Sequence, residues 1–295
     1  MKSIILKNFF ENGIMGHFIS SFFVGYSIIE ESKLNLTNLN GRKVSDQIYT
    51  FIKNKKLIFV YDTAYSSTNL FDSIFDQENH KPFCICPVAS PRDLPFESFK
   101  FNSCIKSPYL SSEGIIFNGK VLSKNCPNLK LIASIIKFKK NILEELNRFY
   151  NNSEGKTLGV HIRLTDMNKY HGDIYGVCEF KDYLKKISKI EKQYTNIFVA
   201  SDNVECINIL KNIYGKKIKT FNHLSNISPY KDDINFYNQT LLNAKNKKAW
   251  VEVYLDVLAL SKSDFLLCRT SSIPLCSILF SDNLKLIDNY ELVNS

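Results

Sequence analysis

The stretch Thr157-Leu158-Gly159-Val160-His161-Ile162-Arg163-Leu164-Thr165-Asp166 decides the fold. Its first half is an apolar run, as expected of a parallel strand covered by helices on both faces. The run then meets His161, Arg163 two places on, and finally Thr165 and Asp166. In an open α/β sheet the carboxyl ends of the strands face the ligand crevice. Charged groups there are placed to meet a substrate, while the strand itself has only to pack. Arg163 stands out, because a guanidinium is always charged and its planar fork of donors suits a bidentate grip on phosphate. A strand-end arginine also serves in structural ion pairs, so the rest of the chain has to decide between the two roles.

Outward from this stretch, the alternation is regular. Strands are expected over residues 157–162, 196–200, 216–221, 264–268 and 284–287. Helices are expected over 179–192, 204–213 and 245–261, with another beginning near Pro274. Strand–helix alternation of this kind predicts β-α units on a parallel sheet. A helical pattern over 137–151 and the polar Asn151-Asn152-Ser153-Glu154-Gly155 precede it, which suggests a boundary giving domains 1–150 and 151–295. The first domain opens with a strand at 3–6, a loop with Gly13, Gly16 and His17, and a helix over 18–34. Glycines between strand and helix permit close backbone approach, and a helix N-terminus favours an anion. Residues 57–61 read as a buried strand, whereas 62–115 carry little periodicity beyond loops, short strands and helices. Two α/β halves facing each other across a cleft are the architecture implied.

The bulk properties narrow the class. The 295 residues suffice for two ordinary domains, with 44% hydrophobic and 23% charged residues. That composition is usual for a soluble globular chain. The formal net charge of +9 favours an anionic partner. The lysines fall in scattered pairs, with no basic tail, aromatic–basic stripe or RNA-binding signature, so nucleic acid is not the expected partner. Eight cysteines show neither a disulfide framework nor paired zinc spacing, and no metal site is expected. Reduced thiols, a short apolar N-terminus and the lack of any eighteen-residue apolar run predict a cytoplasmic chain, at most peripheral at the inner face of a membrane.

Three expected strand ends carry polar groups: His161/Arg163/Asp166, Ser201-Asp202-Asn203, and Arg269-Thr270-Ser271-Ser272. Two hydroxyls at a helix start supply side-chain and backbone donors together with the positive end of the helix dipole. An ordinary N-cap has the same composition. A diphosphate held between Ser271, Ser272 and Arg163 would be neutralised without a metal. Asp256 lies within the apolar helix before this loop, where a carboxylate either faces solvent or accepts bonds from a ligand donor. The N1–H and N2–H₂ edge of guanine is a natural partner.

The octapeptide from Gly159 to Asp166 resembles the first signature of the GDP-fucose-dependent fucosyltransferases, His-x-Arg-Arg-x-Asp at a strand end. This group includes the α-1,6-, nodulation-type and protein O-fucosyltransferases. Ile197-Phe198-Val199-Ala200-Ser201-Asp202-Asn203 resembles the second signature. Tyr254 to Ser261 and Asp264 to Ser272 resemble the third. The loop Asn12-Gly13-Ile14-Met15-Gly16-His17 looks like the N-terminal glycine loop of this group and of the α-1,2-fucosyltransferases.

The resemblance implies a GT-B glycosyltransferase, with two Rossmann-like domains and GDP-fucose in the C-terminal one. It also implies an inverting, metal-independent reaction that needs no cofactor beyond the sugar donor. Carried over by position, Arg163 would hold the β-phosphate, His161 and Asp256 the nucleoside, and Ser271 and Ser272 the diphosphate, with Asp202, Gly13, Gly16 and His17 also on the donor side. The acceptor would be a glycan or lipid-linked glycan of a surface polysaccharide. Two departures stand in this chain: Leu164 replaces the second arginine, and Ile273 follows the paired serines. Another GDP-sugar (mannose- or heptose-type) or a non-catalytic GDP-sugar binder is the alternative. Asp173 and His171 are the candidate general bases, because no glutamate follows the first signature. Asp166 more naturally orients Arg163 or caps the following segment.

Overall fold

The structure is a computed structural model. It describes residues 4–7, 37–38, 57–62, 74–76, 83–88, 99–100, 109–111, 114–117, 120–122, 130, 133, 136–151, 154–164, 178–221, 247–269, 271–281 and 285–287. Gly13, Gly16, His17, Asp166, His171, Asp173 and the helix expected over 18–34 lie outside them.

The described residues form two five-stranded sheets and a three-stranded one. In the N-terminal sheet, β1 (Ile4–Lys7), β3 (Leu57–Asp62), β4 (Phe83–Val88) and β5 (Phe99–Lys100) are parallel, and β2 (Thr37–Asn38) runs antiparallel at one edge. The order is β2-β5-β1-β3-β4. Pro87 sits in β4, an edge strand, where the missing N–H can face away from the ladder. A meander of β6 (Tyr109–Ser111), β7 (Gly114–Phe117) and β8 (Lys120–Leu122) follows.

The C-terminal sheet contains β9 (Thr157–Ile162), β10 (Asn196–Ser201), β11 (Ile218–Lys219), β12 (Phe265–Cys268) and β13 (Lys285–Ile287), all parallel. Every residue of β9 is buried, which is why the strand reads as a continuous apolar run. Helices α1 (Lys140–Tyr150), α2 (Phe180–Ile190), α3 (Val204–Tyr214), α4 (Lys247–Ser261) and α5 (Ser272–Phe280) accompany it. The α2 start is held by a reciprocal cap between Glu179 and Asp182.

One expected strand was too long. Residues 215–217 wind into a 3₁₀ turn, so β11 begins only at Ile218. Gly215, at φ +56°, ends α3 with its N–H on the Lys211 carbonyl, a conformation that favours glycine. Lys217 then bonds the Glu191 carboxylate across the turn.

At the other end of the sheet, Asp264 brackets β9. The Thr157 N–H donates to its carboxylate at 2.8 Å, and the Asp264 N–H donates to the Thr157 carbonyl at 3.0 Å. Helix α1 packs on this sheet too: Phe149 meets Phe198 and Phe221, and the Tyr150 hydroxyl donates to the Ala259 carbonyl at 2.8 Å. The thiols of Cys178, Cys206, Cys268 and Cys276 are buried and not in disulfides. Among the described residues, no helix is long and apolar enough to cross a membrane.

Candidate functional site

The strand order β11-β10-β9-β12-β13 places the first strand of the sheet beside the fourth. The connections therefore leave β9 and β12 in opposite directions, and the carboxyl edge between them is the switch point at which open α/β sheets bind ligands. Register fixes which residues meet there. His161 pairs with Ala200 on one side and Cys268 on the other, and Ile162 pairs with Ser201. Arg163, Asp202 and Arg269 are the residues immediately beyond these three strands.

Side chains alternate across β9. Leu158, Val160 and Ile162 join a cluster with Tyr183 and Ile187 of α2 and Ile207 and Leu210 of α3. Gly159 points the other way, toward Leu260 of α4 and Ser263 just after that helix. His161 shares the Gly159 face. Its ring is 3% exposed, and Nδ1 has no hydrogen-bond partner among the described residues. Burial, with the neighbouring Arg163 charge adding to it, pushes the imidazole down to about 3. His161 is therefore neutral at physiological pH and presents a buried polar atom to the switch point.

The Ser201-Asp202-Asn203 turn is largely spent on building the edge. The Asn203 N–H donates to the Ser201 hydroxyl at 3.1 Å, and the Asn203 side chain caps α3 by accepting from Glu205 and Cys206. Asp202 accepts from the Leu164 N–H at 3.3 Å, tying the ends of β9 and β10 together. Asp202 thus reaches the expected edge, with at least one oxygen occupied by the strand end itself.

Ser271 occupies the N-cap position of α5 in extended backbone, yet its hydroxyl makes no cap bond. The Oγ is buried and has no partner among the described residues. The Leu275 N–H already returns to the Ser271 carbonyl at 3.3 Å, and Pro274 has no N–H. Helix geometry therefore leaves the backbone donors of Ser272 and Ile273 as those lacking an intrahelical acceptor. The helix start thus departs from an ordinary capped end.

Asp256 is 9% exposed, which removes the solvent-facing alternative. It stands close enough to the Tyr150 phenol for its charge to help burial raise that hydroxyl's pKa. Two charged residues at the same level of burial were not singled out from sequence. Glu252, one helical turn before Asp256, is buried on the same helix, and Arg269 is 4% exposed at the end of β12. The signal for Glu252 was its four-residue spacing from Asp256. Arg269 stood in plain view within the Arg269-Thr270-Ser271-Ser272 stretch.

These features define a doubly wound α/β protein with a switch-point site lined by arginine, neutral histidine and a helix start. Among solved structures, the chain is similar to NodZ α-1,6-fucosyltransferase co-crystallized with GDP, at 12% identity and a TM-score of 0.51, covering 98% of this chain and 95% of that one. A NodZ structure soaked with GDP-fucose gives 11% identity and a TM-score of 0.50 over 95% and 92% of the two chains. The fold is what these likenesses establish. No protein-family model and no curated protein sequence matches the chain.

Proposed function

We propose that the chain is an inverting, metal-independent glycosyltransferase that moves fucose from GDP-fucose to a glycan hydroxyl. The observation carrying this reading is the meeting of Arg163, neutral His161 and the uncapped Ser271 helix start at one switch point. The NodZ structures that share the fold were determined with GDP and GDP-fucose, which supports a GDP-sugar donor. In the reaction, the bond from the sugar anomeric carbon to the β-phosphate oxygen breaks as the acceptor oxygen attacks from the opposite face. The acceptor proton passes to a general base, for which His171 and Asp173 are the candidates. Negative charge grows on the departing diphosphate, and fixed cationic donors aimed at that charge lower the barrier. Arg163 fills this role, with Ser271 and Ser272 supplying donors at the helix start. His161 and Asp256 would face the nucleoside, with Asp202 holding the edge.

In this reading residues 1–150 shape the acceptor side, with Gly13, Gly16 and His17 in the loop facing the donor, and residues 151–295 bind the GDP-sugar. A cytoplasmic chain working at the inner face of a membrane on lipid-linked surface polysaccharide fits it. Leu164 and Ile273 keep a second reading in view: the same fold acting on another GDP-sugar, or binding one without turnover.

A panel of GDP-sugars scored for donor hydrolysis or transfer, alongside calorimetry with GDP, UDP and ADP, tests the assignment. GDP binding and turnover of GDP-fucose above the others are expected; absence of GDP binding would refute the whole reading. Arg163→Ala should lower kcat by about 10²–10³-fold while the thermal midpoint stays put, because β9 itself is apolar.

A further inference from the structure

Arg269 has no part in the reading so far, yet it is a guanidinium held 4% exposed at the carboxyl end of β12, beside the switch point. Cys268 is in register with His161, so Arg269, the next residue, follows on the opposite face of the sheet. That face is the α2 side. Consistent with this, the Arg269 charge is felt by the buried Cys178 thiol, just before α2, and by the Tyr183 hydroxyl within it. Leu164 lies on the same side, packed against the cluster that contains Cys178, Tyr183 and Leu267. The position where the fucosyltransferase signature has its second arginine is thus apolar wall in this chain. A guanidinium reaches that wall from the neighbouring strand instead. Arg163 and Arg269 flank the β9–β12 gap from adjacent strands, with the Ser271 helix start two residues past Arg269.

We propose that Arg269 is a second phosphate-binding residue of the donor site, gripping the β-phosphate of a GDP-sugar from the α2 side while Arg163 grips it from β9. The assignment rests on the GDP-sugar reading above. It makes the paired cation of this site a product of two strands, where the family signature builds it from neighbours on one.

The test is calorimetry of the full chain with GDP and with GMP, which lacks the β-phosphate. Arg269→Ala should weaken GDP by about tenfold to a hundredfold, as expected for loss of a charge-assisted contact, and leave GMP within about threefold of wild type. Arg269→Lys, which keeps the charge but loses the fork, should fall between. Thermal unfolding of each variant checks the fold. Equal losses for GDP and GMP, an unchanged GDP affinity, or failure of both variants to fold would assign Arg269 to structure and overturn the proposal. Failure of the wild type to bind GDP would sink the broader reading, a result distinct from any of these.

Discussion

The two faces of β9 do different work. Toward α2 and α3, Leu158, Val160 and Ile162 join a buried cluster with Tyr183, Ile187, Ile207 and Leu210. Toward α4, the same strand presents Gly159 and then His161, and α4 with the turn after it carries Asp256, Ser261 and Ser263, all buried. The first face is built into the hydrophobic core. The second gives up apolar contact so that a helix can come close and a polar ring can be held, neutral, at the ligand edge. One strand therefore separates stability from recognition by nothing more than the alternation of its side chains.

Substitutions on each face should separate these contributions. Leu158→Ala removes a fully buried side chain from the cohesive face. It should cost about 2–5 kcal/mol in denaturant unfolding while GDP affinity, measured where the variant is folded, stays unchanged. A parallel loss of affinity would show that the faces are not separable.

His161→Gln probes the other face through pH. The folded imidazole is held at about 3 against 6.5 in the unfolded chain, so below pH 6.5 the unfolded chain takes up a proton that the folded one refuses. Wild-type stability should thus fall as pH drops from 6.5 toward 3, by about 1.4 kcal/mol per pH unit from this group. The variant should lack this component, and urea midpoints measured from pH 7 to pH 4 would show its curve flatter. Parallel curves would mean that His161 is charged in the folded protein.

Gly159→Ala is expected to have the smallest effect. A Cβ there would lie 2.8 Å from the Ser263 hydroxyl oxygen and 3.2 Å from a Leu260 methyl. The cost should be about 1–3 kcal/mol of stability, accompanied by weaker GDP binding as α4 and Asp256 are pushed outward. Full stability with unchanged binding would show that the helix can yield.

Much of the C-terminal half was legible because strands buried on both sides declare themselves as apolar runs, whatever they pair with. Strands at 157–162, 196–201 and 265–268 appear within a residue or so of expectation. Where local chemistry and pairing compete, the reading weakened. Lys216 and Lys217 look extended, but the positive φ at Gly215 and the Glu191 contact turn them into a 3₁₀ segment. The meander at 109–122 consists of strands of three or four residues, whose identity comes from mutual pairing more than from their own composition. At the site, His161, Arg163 and the paired serines announced themselves by residue type at a strand end. The burial of Glu252 and Arg269 did not, since a charged residue looks the same in sequence whether it faces water or a helix. That Ser271 leaves its cap bond unmade is likewise a matter of one side-chain torsion, invisible to composition.

The Asp264 bracket has a consequence for how this strand tolerates change. It pins the first residue of β9 to the residue just before β12, so position along the strand is counted from that clamp outward. A single-residue insertion between Thr157 and His161 would leave the clamp intact and pass the error forward. The imidazole would then swing into the aliphatic wall and an isoleucine into the ligand edge. Length variation should accordingly be accepted beyond Leu164 and rejected within these few positions. Directed-evolution libraries that shuffle fragments of this chain would find their productive junctions outside that short ruler.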